Sequence, residues 1–284
     1  MSNVTQGLSL RALSLTALAM VAFAGNSLLC RAALRDTAID AASFTSLRLL
    51  SGALVLWLIV SLRRDHREGQ GSWLSGLWLF AYAAAFSFAY LSLTAATGAL
   101  LLFAAVQVTM IGHGLWAGEW LRPVQWLGVC LAIGGLVGLL LPGVSAPPTL
   151  GAGLMVLAGV AWGLYSLRGR RGGDATRVTA GNFRYAVPFA LLLSALTVSR
   201  FSIDPAGAAY ALASGALASG LGYAVWYTAL PHLKAASAAT VQLSVPVIAA
   251  AGGVLLLGEP LGWRLVLASL AVLGGIALVI LERR

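Results

Sequence analysis

Tyr82, Phe86 and Tyr90 recur every four residues along one apolar run, so they share a helical face about two turns long. Such a stripe either packs or touches a ligand, and Tyr82, central in its run, is the member best placed for contact. Gln107 stands in the middle of the next run, where it can bridge two helices for ~0.6 kcal/mol or line a cavity. Gln242, Ser244 and Pro246 follow one another in a later run. Pro246 has no N–H and frees a carbonyl near Gln242. Free backbone at membrane depth is tolerated where it lines a wet cavity; the other outcome is a packed kink with Ser244 bonded to its own helix. Trp162 and Tyr165 lie three apart beside Gly159 and Gly163. They can clamp a planar or aliphatic molecule against bare backbone or belong to an interfacial belt, since Arg168 follows within a turn. Asn26 is a further polar group at depth. These residue types recognise ligands without covalent chemistry.

Reactive constellations are lacking in the sequence. All nine acidic residues, Asp36, Asp40, Asp65, Glu68, Glu119, Asp174, Asp204, Glu259 and Glu282, fall in loops or at run ends. Exchange of cationic drugs against protons through a membrane-embedded carboxylate is therefore disfavoured, and a neutral or zwitterionic substrate fits better. Ser214-Gly215 and Ser219-Gly220 suggest an intramembrane hydrolase as a competing function, but that chemistry needs a base within reach. His66 and His232 fall in loops and His113 near a run end. No metal-ligand spacing and no filter-like loop or arginine ladder occurs, which argues against a metal site and a channel. Cys30 and Cys130, isolated in apolar runs, are expected to be small core residues.

The elements that must position these residues are membrane helices. Hydrophobic residues make up 60% of the chain and charged ones 10%, with mean hydropathy +0.89; a soluble domain carries roughly 25% charged residues. The net charge of +9 comes from arginines that flank apolar runs, with no basic face for nucleic acid. Ten runs are long enough to span a bilayer: 12–30, 42–62, 73–93, 97–117, 123–141, 149–167, 178–198, 206–229, 235–257 and 262–281. The first could be taken for a cleaved signal ending at Ala22-Phe23-Ala24, but its removal would leave unequal halves. With the N-terminus in the cytoplasm, twelve basic residues fall inside and four outside, so both termini are expected there. Arg48 and Arg184 stand near equivalent helix starts, where snorkelling is the favoured account and binding a substrate carboxylate the sharper one. Lys234 marks the inner face. Trp57, Trp73, Trp116, Trp120 and Trp263 sit at run ends, as belt residues do.

Gly118-Glu119 and Gly258-Glu259 lie 140 residues apart, each closing a run, and the same shift pairs Ala89 with Ala229, Leu93 with Leu233, Ala95 with Ala235 and Gly134 with Gly274. This is an internal repeat. Five spans per repeat is odd, so the second copy enters from the opposite side and the repeats are inverted, with the site between them. The expected fold is thus an all-α integral membrane protein, ten transmembrane helices as two inverted five-helix repeats, 1–141 and 142–284. The paired glutamates sit at helix C-termini, an unfavourable end of the dipole, which points to a structural job in the turn.

The run from Lys234 through Gln242 and Ser244 to Pro246, closing in Gly258-Glu259, resembles the EamA type of the drug/metabolite transporter superfamily. So do its weaker first copy from Thr94 to Gly118-Glu119, Trp162 to Tyr165, and the placing of Arg48 and Arg184. The first copy departs from the pattern, with Val106-Gln107 where the second has Pro246-Val247. The likeness covers essentially the whole chain and implies an inner-membrane secondary transporter, not an enzyme. It would export amino acids or related metabolites by alternating access, as a monomer, without a cofactor. The spread of aromatics looks most like the exporters of aromatic amino acids; other small metabolites or drugs are the alternative cargo.

Overall fold

The computed structural model describes residues 10–63, 68–118, 120–143, 146–168, 173–233 and 241–281. These are helical: α1 (Leu10–Asp36), α2 (Ala41–Leu62), α3 (Trp73–Tyr90), α4 (Ala95–Trp116), α5 (Pro123–Leu140), α6 (Thr149–Arg168), α7 (Ala175–Leu196), α8 (Pro205–His232), α9 (Ser244–Leu257) and α10 (Trp263–Leu281). Eight of them are long and apolar enough to cross a membrane. α7 falls short because its first half carries Thr176, Arg177, Thr179, Asn182 and Arg184. α9 has only 14 described residues. Glu119 and the stretch 234–240, with Lys234, lie outside the described residues.

Helix ends follow local chemistry. Asp40, Ser72, Thr94, Asp174 and Asp204 each accept a backbone N–H of the first turn of the helix they precede. Gly118 and Gly258 take φ of 89° and 61°, the left-handed conformation that ends α4 and α9 and that glycine adopts without strain. The glycine of the repeated pair is therefore a stop.

Packing recurs across the chain. α2 runs along α7, α5 along α10, and α4 against α9. α3 packs on α6 as α1 does on α8, and α4 on α6 as α1 does on α9. Small residues permit the close approaches: a Cβ on Gly215 would overlap the Arg48 carbonyl and Ser51 Oγ where α8 crosses α2. There α8 widens to a π-helix over Ser214–Leu221. α9 is preceded by a break at Leu243, so Pro246 falls in its first turn, where a missing N–H costs nothing.

Two expectations need correction. Cys130 is exposed on the outside of the bundle and only Cys30 is buried. Arg48 does not snorkel: it is 2% exposed, on the buried stripe of Ala41, Thr45, Gly52 and Leu56. Arg184, off the buried face of α7, is exposed. The five end-of-run tryptophans are exposed as belt residues would be.

Candidate functional site

A cavity of about 30 Å³ lies inside the bundle. α1 contributes Phe23, Asn26 and Ser27 to its wall, and α3 contributes Tyr82 and Phe86. Trp162 of α6 and Ser219 and Tyr223 of α8 stand across from them, with Gln242 just before the break that starts α9. At ~10–15 Å³ per water the space holds a water or two. Ligand pockets run from ~300 Å³ upward, so an amino acid enters only if the helices move.

The wall is aromatic with a polar seam. Tyr82 lies 5.4 Å from Phe86 and 4.9 Å from Trp162, and Trp162 lies 5.3 Å from both Tyr165 and Tyr223, ring centre to ring centre. Through the seam Ser214 Oγ donates to Asn26 Oδ1 at 2.6 Å, and Asn26 Nδ2 donates to the Tyr82 hydroxyl at 3.3 Å. Behind the wall Arg48 Nη2 donates to the same hydroxyl at 3.0 Å and Nε to Ser219 Oγ at 3.4 Å. The widened turn of α8 is what presents Ser214 to α1 and Ser219 to α2.

Of the ten residues singled out in the sequence, Asn26, Tyr82, Phe86, Trp162 and Gln242 share this wall. Tyr90 continues the stripe but is fully buried, its hydroxyl donating to the Ala95 carbonyl at 3.3 Å. Tyr165 sits behind Trp162 and accepts from Asn182 Nδ2 at 3.3 Å. Ser244 bonds its own helix at the Val241 carbonyl, 2.6 Å, and Pro246 is buried away from the wall. Gln107 faces a separate apolar crevice of about 240 Å³ between α4, α5 and α10. Phe23 and Tyr223 carry no expectation from the sequence; Ser219 joins the wall, and Arg48, weighed there as a carboxylate binder but favoured as a snorkelling residue, stands behind it. A larger groove of about 660 Å³ between α2 and α7, beside Trp57, is mostly apolar, with Ser51, Arg177 and Arg184 in its wall.

Toward the end of α1 the bundle is closed by an ion pair. Arg31 Nε meets Glu259 Oε1 at 2.9 Å, with side chains 13% and 5% exposed. Arg31 Nη1 also donates to the Tyr90 carbonyl at 2.9 Å. Glu259 Oε2 accepts from Ala95 N at 2.8 Å, the first residue of α4. The carboxylate that follows the C-terminus of α9 thus caps the N-terminus of another helix, where the dipole favours it.

The EamA-like transporter family model matches the chain twice, over residues 10–141 and 149–281. An uncharacterized protein of Pseudomonas aeruginosa is 62% identical over 274 residues, covering 96% of each chain. The threonine/homoserine exporter RhtA of Salmonella typhimurium strain LT2 is 33% identical over 160 residues, 54% of this chain and 53% of that one. RhtA of Escherichia coli K12 is 34% identical over 148 residues, 49% of each. A solved crystal structure superposes with TM-score 0.66 at 20% identity, covering 95% of this chain and 97% of that one, a likeness of fold.

Proposed function

Because the chain belongs to the EamA-like transporter family, we propose that it is a ten-span secondary transporter of the inner membrane. It exports amino acids, neutral and aromatic ones foremost, or related small metabolites. That it is a multi-pass membrane transporter rather than an enzyme follows from the family. The observation carrying the finer reading is the polar, aromatic-walled cavity, built from elements of both stretches that match the family model. The exchange of packing partners between the first five helices and the last five supports two inverted repeats, 1–141 and 142–284, which rock about that cavity. The lining residues Asn26, Tyr82, Phe86, Trp162 and Gln242 hold the substrate, and opening of the Arg31–Glu259 closure releases it at that face.

Aromatic walls suit a phenylalanine side chain, whereas the half-length likeness to threonine/homoserine exporters favours a smaller hydroxylated one. Counterflow separates these. Proteoliposomes preloaded with unlabelled phenylalanine, threonine or neither are offered labelled phenylalanine or labelled threonine. Stimulation by the matching internal amino acid is the expected result. Absence of stimulation by either, in vesicles holding folded protein, rejects amino acid export.

A further inference from the structure

Arg48 is nearly inaccessible, at 2%, and its charge meets no carboxylate among the described residues; the ion pairs there join Arg31 to Glu259, Arg35 to Asp36 and Arg63 to Asp174. Its guanidinium carbon rests 4.9 Å from the centre of the Phe86 ring and 5.1 Å from that of Tyr82. Its Nη1 has no acceptor among the described residues. A buried cation left so is costly unless an anion completes it.

The direction of the hydrogen bonds says where that anion goes. The Asn26 amide stands with its oxygen 2.6 Å from Ser214 Oγ and its nitrogen 3.3 Å from the Tyr82 hydroxyl. The Tyr82 oxygen then accepts twice, from Asn26 and from Arg48. Its own proton is not used by either of these bonds, and Tyr82 lines the cavity wall. Ser219 Oγ likewise accepts from Arg48 on that wall. The seam therefore places two hydroxyls that accept from Arg48 on the cavity wall, with the cation behind them.

We infer that this seam is a carboxylate receptor: Tyr82 donates to the carboxylate of the cargo, and Arg48 is the positioning residue that supplies the countercharge and turns the Tyr82 proton inward. The inference rests on the transport reading for its cargo but concerns binding alone. It specifies the substrate class as organic monocarboxylates. An α-ammonium group finds no matching carboxylate here and lies against the faces of Trp162 and Tyr223, so a 2-hydroxy acid binds about as well as the corresponding amino acid.

The test is thermal unfolding of the full-length protein in detergent, titrated with phenylalanine, threonine, 3-phenyllactate, which lacks the ammonium group, and phenylalanine methyl ester, which lacks the carboxylate. Saturable stabilisation by 3-phenyllactate and at least one of the amino acids, with none by the ester, is the expected pattern. Tyr82→Phe, which keeps the ring and its packing, weakens the acids about 10- to 100-fold, the range for one hydrogen bond to a charged group. Arg48→Gln does the same and Arg48→Lys recovers part of the loss. Equal stabilisation by ester and acid, unchanged acid titrations in Tyr82→Phe, or no response to any of the acids overturns the inference. A failed counterflow beside a positive titration sinks only the export reading.

Discussion

α2 and α7 start alike and differ inside. Each opens on an aspartate cap, Asp40 and Asp174, and each cap also ties its loop to the other half of the chain. Asp40 accepts from Ser202 N at 3.0 Å before α8, and Asp174 meets Arg63 Nη1 at 3.4 Å after α2. Eight residues beyond the caps stand Arg48 and Asn182, both 2% exposed. Arg48 reaches Tyr82 and Ser219 with one nitrogen unmet. Asn182 is neutral and engaged at both ends, accepting from Ser72 N at 3.0 Å and donating to the Tyr165 hydroxyl at 3.3 Å. The two arms share caps and crossings, whereas the fully buried charge among the described residues of the pair stands on α2 alone.

Making the arms alike in the charged sense is the harshest test. Asn182→Arg buries a second cation among Tyr165 and Phe183, at a cost of several kcal/mol, and is expected to abolish monodisperse protein on size-exclusion chromatography. Wild-type behaviour would mean that the Asn182 site is wet. Making the arms alike in the neutral sense, Arg48→Asn, is expected to preserve folding while the half-saturation concentration for carboxylates in counterflow rises about 10- to 100-fold. Glu259→Ala removes a buried carboxylate that joins α1 to α4. Thermal unfolding is expected to report ~1–3 kcal/mol less stability, and counterflow should stay saturable because the cavity is untouched.

The caps give smaller effects. Asp40→Ala costs ~1 kcal/mol. Burial pushes the Asp40 carboxyl up, but hydrogen bonds from Ser43, Ser202 and Ala42 outweigh it and hold the group below the usual carboxylate range. A depressed value means the cap contributes fully above ~3.9, the unfolded value, and loses that contribution as pH falls through the folded one. Wild type and Asp40→Ala should therefore converge in stability in acid. Smallest of all is Gln107→Ala, in the crevice away from the seam, for which an unchanged half-saturation concentration is expected. A rise there would move the cargo toward α5 and α10.

Eight of the spans, the repeat and five residues of the cavity wall could be read from residue types, because apolar run length and isolated polar groups report on the bilayer directly. For Arg48 the residue type alone left two readings, snorkelling and carboxylate binding, since a lone arginine eight residues into a helix looks the same whether it faces lipid or protein. Its helical phase held a usable signal: Arg48 falls in register with Ala41, Thr45 and Gly52, whereas Arg184 falls off the Thr179, Phe183, Ala186 stripe. Partners such as Ser219, 171 positions away, depend on tertiary packing alone. The role of Glu259 was equally hidden, because the helix it caps is not the one it follows. The break at Leu243 lies where a proline at 246, with no N–H for the Gln242 carbonyl, is expected to interrupt the helix, but neither Ser244 nor Pro246 stands on the cavity wall.

The wide turn of α8 also acts as a phase shifter. A π segment holds an extra residue relative to an α-helix of equal length, and in α geometry each residue advances the chain by on the order of 100°. Everything beyond Ser214–Leu221, Tyr223 and Trp226 included, is thus aimed by a local change of winding rather than by the tilt of the rod. The position of the aromatic face against the cavity is thus set by the winding of that stretch and not by the direction of the helix axis.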